Sequence, residues 1–119
     1  AYNLNLNTEN VEIAKNIAKI IRERDGGLNC VKAMGFDIED EKTGKKYAQV
    51  SINMTNFEQT PLYRVTEMVK SEAARYGVVV TGTEIIGLCP MKALIDSAEY
   101  YLQIENFDFD AQVLENHIL

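Results

Sequence analysis

Two periods take turns along this chain. Residues 2–7, YNLNLN, alternate without a fault: Tyr2, Leu4 and Leu6 fall on one side of an extended segment, and Asn3, Asn5 and Asn7 on the other. From Thr8 the period becomes helical. Val11, Ala14, Ile17, Ala18 and Ile21 make one stripe, with Glu9 and Glu12 in the first turn, Arg22 and Arg24 in the last, and Gly26-Gly27 as the stop. Val31 to Ile38 reads as a second strand, weakened by Gly35. A charged tip, Glu39 to Lys46 with Gly44 as its turn residue, leads into a third strand predicted over Tyr47 to Phe57. Within it Val50, Ile52 and Met54 alternate with the uncharged polar residues Gln49, Ser51, Asn53 and Thr55. A second helix is expected from Pro61 to Tyr76, with Thr60 as its cap, Pro61 at its first position and Leu62, Val65, Met68, Val69 and Ala73 as its stripe. Val78 to Ile86 is the fourth strand. A third helix follows the turn Gly87-Leu88-Cys89-Pro90 and runs from Met91 to about Gln103, with Met91, Leu94, Ile95, Ala98 and Leu102 expected to face inward. From Glu105 the chain is acidic and weakly patterned.

Strand–helix–strand–strand–helix–strand is the order of the ferredoxin-like split βαβ, an α+β fold: βαββαβ, antiparallel sheet order 4-1-3-2, here with an additional C-terminal helix. Both helices pack on one face of such a sheet, and its first and third strands lie side by side at the centre. The apolar sides of those strands must then meet the helices. Their other sides bring Asn3, Asn5, Asn7, Ser51, Asn53 and Thr55 together on the open face. Asn is a poor strand former, so three in alternate positions cost β-propensity. Amides and hydroxyls offer donors and acceptors without net charge, which suits a polar contact that excludes water. We therefore expect this face to be covered, by a ligand or by another protein layer.

Composition narrows the occupants. With 119 residues, 46% hydrophobic and 25% charged, the chain is long enough for one small core and is not of the disordered class. Its net charge of −6 argues against nucleic acid, which needs clustered Lys and Arg. Lys42, Lys45 and Lys46 do cluster, but Glu39, Asp40 and Glu41 sit beside them. The open face of the central strands also lacks the aromatics that stack RNA bases. Cys30 and Cys89 form no CxxC pattern and read as thiols of a reducing compartment. His117 is the single histidine, so no metal site is expected. No signal peptide opens the chain and no apolar run reaches membrane-spanning length, which makes the cytoplasm the expectation. The abrupt first strand, with no Met before it, reads as the start of a piece of a larger protein.

Three segments carry a resemblance: AYNLNLNT at the start, SINMTNFEQTPLYRVTEMVKSEAARYGV in the middle and GTEIIGLCPMKALIDSAEYYLQIENF near the end. In that order they resemble the C-terminal subdomain of the glutamate formiminotransferase family, over residues 1–107, leaving 108–119 as an acidic C-terminal extension. The resemblance implies transfer of a formimidoyl group from N-formimino-L-glutamate to tetrahydrofolate, in histidine breakdown. It implies two similar subdomains whose sheets face one another around a folate tunnel, an N-terminal subdomain as partner, and a homo-oligomeric full enzyme. The asparagine-rich face would be one wall of that tunnel. The family's catalytic histidine belongs to the N-terminal subdomain and has no counterpart here, so no catalytic residue is assigned, and the chain alone is expected to be inactive.

Two carboxylates stand out beside that face. Glu58, in the strand-to-helix loop, reads either as a substrate contact or as a partner for the N–H groups that open the second helix. Glu84, on the fourth strand, reads either as a site residue or as an edge-strand surface charge. Two other functions compete with the transferase subdomain: a stand-alone regulatory module of ferredoxin-like type that binds a small metabolite at a dimer interface, and a structural domain that pairs sheet to sheet with itself.

Overall fold

A computed structural model of the chain describes residues 1–22 and 26–117. Strand β1 spans Tyr2–Leu6, helix α1 Val11–Ile21, β2 Val31–Glu39, β3 Lys46–Met54, α2 Leu62–Ala74, β4 Val80–Ile85 and α3 Met91–Leu102. The four strands form one antiparallel sheet in the order β2-β3-β1-β4, which is 4-1-3-2 read from the other edge. This is the ferredoxin-like arrangement expected from the order of elements.

Alternation along the strands does the sorting. Leu4 and Leu6 from β1, Val31 and Ala33 from β2, and Ala48, Val50 and Ile52 from β3 are buried under α1 and α2. The helices answer with Ala14, Ile17, Ala18 and Ile21, and with Val65, Val69 and Ala73. Gly35, which weakens β2 as a strand, has a packing reason. A Cβ there would run into the backbone of Ala14 and Lys15, so the missing side chain is what lets α1 settle on the sheet. The charged hairpin tip closes as expected, with Gly44 at φ 70° and the Asp40 carboxylate accepting from the Lys42 N–H at 2.8 Å.

Several expectations need correction. Strand β3 stops at Met54 rather than Phe57, because the Asn56 side chain accepts from the Glu58 and Gln59 N–H groups and turns the chain. Thr60 does not cap α2. Pro61 occupies the cap position, and Thr60, 3% exposed, instead donates its hydroxyl to the Asn29 carbonyl across the core edge. Asn10 caps α1, accepting from the Glu12 N–H at 3.0 Å, so Glu9 precedes the helix. The α1 helix ends at Ile21, and Arg22 reaches back to the Ala33 carbonyl; Arg24 lies outside the described residues.

The α3 stripe is also turned. Of the expected residues Ile95 and Ala98 are half-buried, Met91, Leu94 and Leu102 are exposed, and Ala93 is the residue this helix buries fully. The reason is its neighbour: α3 lies along α2, with Tyr100 stacked on Tyr63 at 4.1 Å between ring centroids and the Tyr101 hydroxyl donating to Glu67 at 2.8 Å. Those contacts, and not the apolar stripe, set its rotation. The acidic end holds a short helix, α4, at Phe109–Gln112 and a 3-10 turn at Leu114–His117. Among the described residues no helix is long and apolar enough to cross a membrane.

Candidate binding face

The open side of the sheet is laid out in rungs by strand register. One rung runs Met34, Ser51, Asn3, Glu84 from β2 to β4; the next runs Phe36, Gln49, Asn5, Gly82; Lys32 and Asn53 start a third. On the two central strands the rungs are bonded through their side chains. The Ser51 hydroxyl donates to Asn3 Oδ1 at 2.8 Å, and Gln49 Nε2 donates to Asn5 Oδ1 at 2.9 Å. With its carbonyl oxygen taken, each asparagine keeps an NH2 group to offer outward. Gln49 is only 8% exposed, and Asn3, Asn5 and Ser51 are half-buried by one another. The side chains are thus held in place before anything docks.

Not every predicted face residue joins this array. Asn53 does, exposed at the end of its rung. Asn7 lies past the end of β1, beyond a register shift between Asn5 and Leu6, and clips the chain ahead of β4: its N–H donates to the Val79 carbonyl at 3.1 Å and its Oδ1 accepts from the Val79 N–H at 2.8 Å. Thr55 lies past the end of β3, with its hydroxyl donating to the Cys30 carbonyl at 3.2 Å. Glu84 stays on the face, directly opposite Asn3. Glu58 leaves it. It lines a concavity on the helical side together with Tyr63, Asp96, Glu99 and Tyr100.

Strand parity also places Lys32, Met34 and Phe36 of β2 on the open face, which the reading of the central strands alone passed over. Their alternation with Val31, Ala33 and Gly35 was the available signal. It places Tyr47 of β3 there as well, so the central strands carry one aromatic on that face where none was expected. Electrostatic perturbation lies elsewhere. The Tyr101 phenol is pushed up from its ordinary value by burial first and then by its bond to Glu67, and the Lys92 ammonium is raised chiefly by its bond to Asp96; both belong to α3. Among the described residues no cluster of His, Cys, Asp and Glu is arranged to hold a metal ion. His117 bonds the Ala111 carbonyl within the C-terminal turns. Chemically, the array is a set of fixed neutral donors beside one carboxylate. It can bind and orient.

A family model described as the formiminotransferase domain matches residues 1–117. The chain belongs to the formiminotransferase domain family. Two relatives named glutamate formimidoyltransferase are similar to it: that of Streptococcus pyogenes serotype M1 is 57% identical over 119 residues, covering all of this chain and 38% of its own. That of Thermoplasma acidophilum is 52% identical over 115 residues, covering 97% of this chain and 36% of its own. The formimidoyltransferase-cyclodeaminase of Gallus gallus is 40% identical over 111 residues, 88% of this chain and 20% of its own. This formiminotransferase domain chain therefore spans little more than a third of the first two relatives and a fifth of the third.

Proposed function

We propose that this chain is the C-terminal subdomain of a folate-dependent glutamate formimidoyltransferase, and that its bonded amide face is one wall of the folate site. In the reaction, an amine nitrogen of tetrahydrofolate takes the formimidoyl carbon of N-formimino-L-glutamate, the bond from that carbon to the glutamate nitrogen breaks, and glutamate leaves. The attacking amine must lose a proton, which needs a base within hydrogen-bond reach. The amides and the hydroxyl of the face are no such base, so their part is to hold and orient the folate while the partner, the N-terminal subdomain, supplies the proton acceptor. The observation that carries this reading is the pair of bonded rungs, Ser51–Asn3 and Gln49–Asn5, on the open side of the sheet of a formiminotransferase domain. Such pre-organisation is what a binding wall requires, since the ordering of its side chains is complete before the ligand arrives. The short share of each relative covered by this chain supports a longer parent, and for that parent we propose a homo-oligomer acting in the cytoplasm in histidine breakdown.

The test is formimidoyl transfer and tetrahydrofolate affinity in the full-length protein, compared with its Asn3→Ala and Asn5→Ala variants. Each lost amide contact should weaken folate binding by about tenfold per 1.4 kcal/mol. Binding unchanged in both variants would remove the face from the folate site.

A further inference from the structure

Lys32 and Glu84 carry the only charged side chains at open-face positions of the strands among the described residues. They stand at opposite edges, Lys32 on β2 and Glu84 on β4, with the amide rungs between them. Three strand intervals across and one face position along place the two about 16 Å apart, from spacings of about 4.8 Å and about 6.7 Å. The face is therefore polarised along one diagonal: a cation at one end, neutral donors in the middle, an anion at the other.

We propose that this diagonal fixes the direction in which folate lies, its glutamate carboxylates toward Lys32 and its pyrimidine ring toward Glu84. The inference rests on the folate reading above and adds the orientation. The reduced pterin ring presents an exocyclic amine beside a ring N–H, two donors that match the two oxygens of one carboxylate. The tail ends in carboxylates, which a flexible ammonium receives. Gly82, next along β4 from Glu84 on the same face, has nothing within 4 Å of where a Cβ would stand, so the ring finds room beside the carboxylate. Along the β2 edge from Lys32, Met34 and Phe36, 58% and 41% exposed, head the two rungs and give the benzoyl ring of the linker an apolar bed beside the diagonal. The reverse orientation sets the tail carboxylates against Glu84 under a covered surface, where like charges repel most strongly. N-formimino-L-glutamate, a single glutamate skeleton, is too short to touch both poles.

The experiment compares tetrahydrofolate with its neutral α,γ-dimethyl ester, by equilibrium binding to the full-length protein and its Lys32→Met and Glu84→Gln variants. The parent should prefer the diacid by about tenfold, the scale of one charge-assisted contact. Lys32→Met should erase that preference, and Glu84→Gln should keep it while weakening both ligands by about tenfold. Both residues are exposed, so unchanged melting temperatures are expected alongside. A diacid preference that survives Lys32→Met, or affinities that Glu84→Gln leaves unmoved, overturns the orientation alone. A parent that binds neither ligand overturns the folate reading and the orientation with it.

Discussion

At the scale of single residues, the two sides of β3 make opposite demands. Ile52 is fully buried while Asn53, its neighbour, is exposed on the amide face. Replacing Ile52 by Ala should open a core cavity and cost about 2–5 kcal/mol of stability with little change in intrinsic folate affinity. Asn53→Leu should leave the melting temperature nearly unchanged and weaken folate, since a lost neutral hydrogen bond is worth about 0.5–1.5 kcal/mol. Measuring both quantities on both variants checks the assignment of faces; an Asn53→Leu protein that melts early yet binds normally would invert it. Thr60 gives a second check. Asp is as good a helix cap as Thr, so a capping residue would tolerate the exchange. Thr60 is buried and donates to the Asn29 carbonyl, so Thr60→Asp should lower stability by at least about 1–3 kcal/mol, read by chemical denaturation, because a carboxylate cannot make that donation.

At the scale of elements, what was legible in the sequence followed the strength of the pattern. The perfect alternation of residues 2–7 and of Gln49 to Met54 placed both central strands and their open face. The parity of β2 was blurred by Gly35, and so Lys32, Met34 and Phe36 went unremarked. No local pattern could show that Gly35 exists to admit α1, because the reason lies twenty residues away in another element. Helix α3 had a clear stripe and still turned, since stacking of Tyr100 on Tyr63 is a tertiary fact. Glu58 was drawn off the face by an Asx turn at Asn56, which also shortened β3. The Gly35 account makes a prediction against propensity. Val is the better strand former, yet Gly35→Val should destabilise the fold by about 1–3 kcal/mol or more through overpacking against α1. An unchanged or raised denaturation midpoint would show that α1 does not sit where Gly35 puts it.

At the scale of the whole molecule, the described residues leave uncovered the amide face and, among other exposed apolar side chains, Met91, Leu94 and Leu102 along α3. The chain by itself should fold, associate as its concentration rises, and show no formimidoyl transfer. Sedimentation velocity over a concentration series, with a transfer assay on the same samples, tests all three; a strict monomer would argue against a face built to be covered. The rungs carry one more consequence. Asn3 and Ser51 are 48 positions apart in sequence, Asn5 and Gln49 44, and β1 joins both β3 and β4. The bonded face cannot form locally, because its two columns meet only when the chain closes a loop of 44 to 48 positions. A ligand gripping both columns is therefore linked to the opening of the β1–β3 pair, and at saturation it raises the free energy of that opening by RT ln(1 + [L]/Kd). A protease that cuts only chain exposed by that opening would slow at all such sites together, far from the ligand as much as beside it.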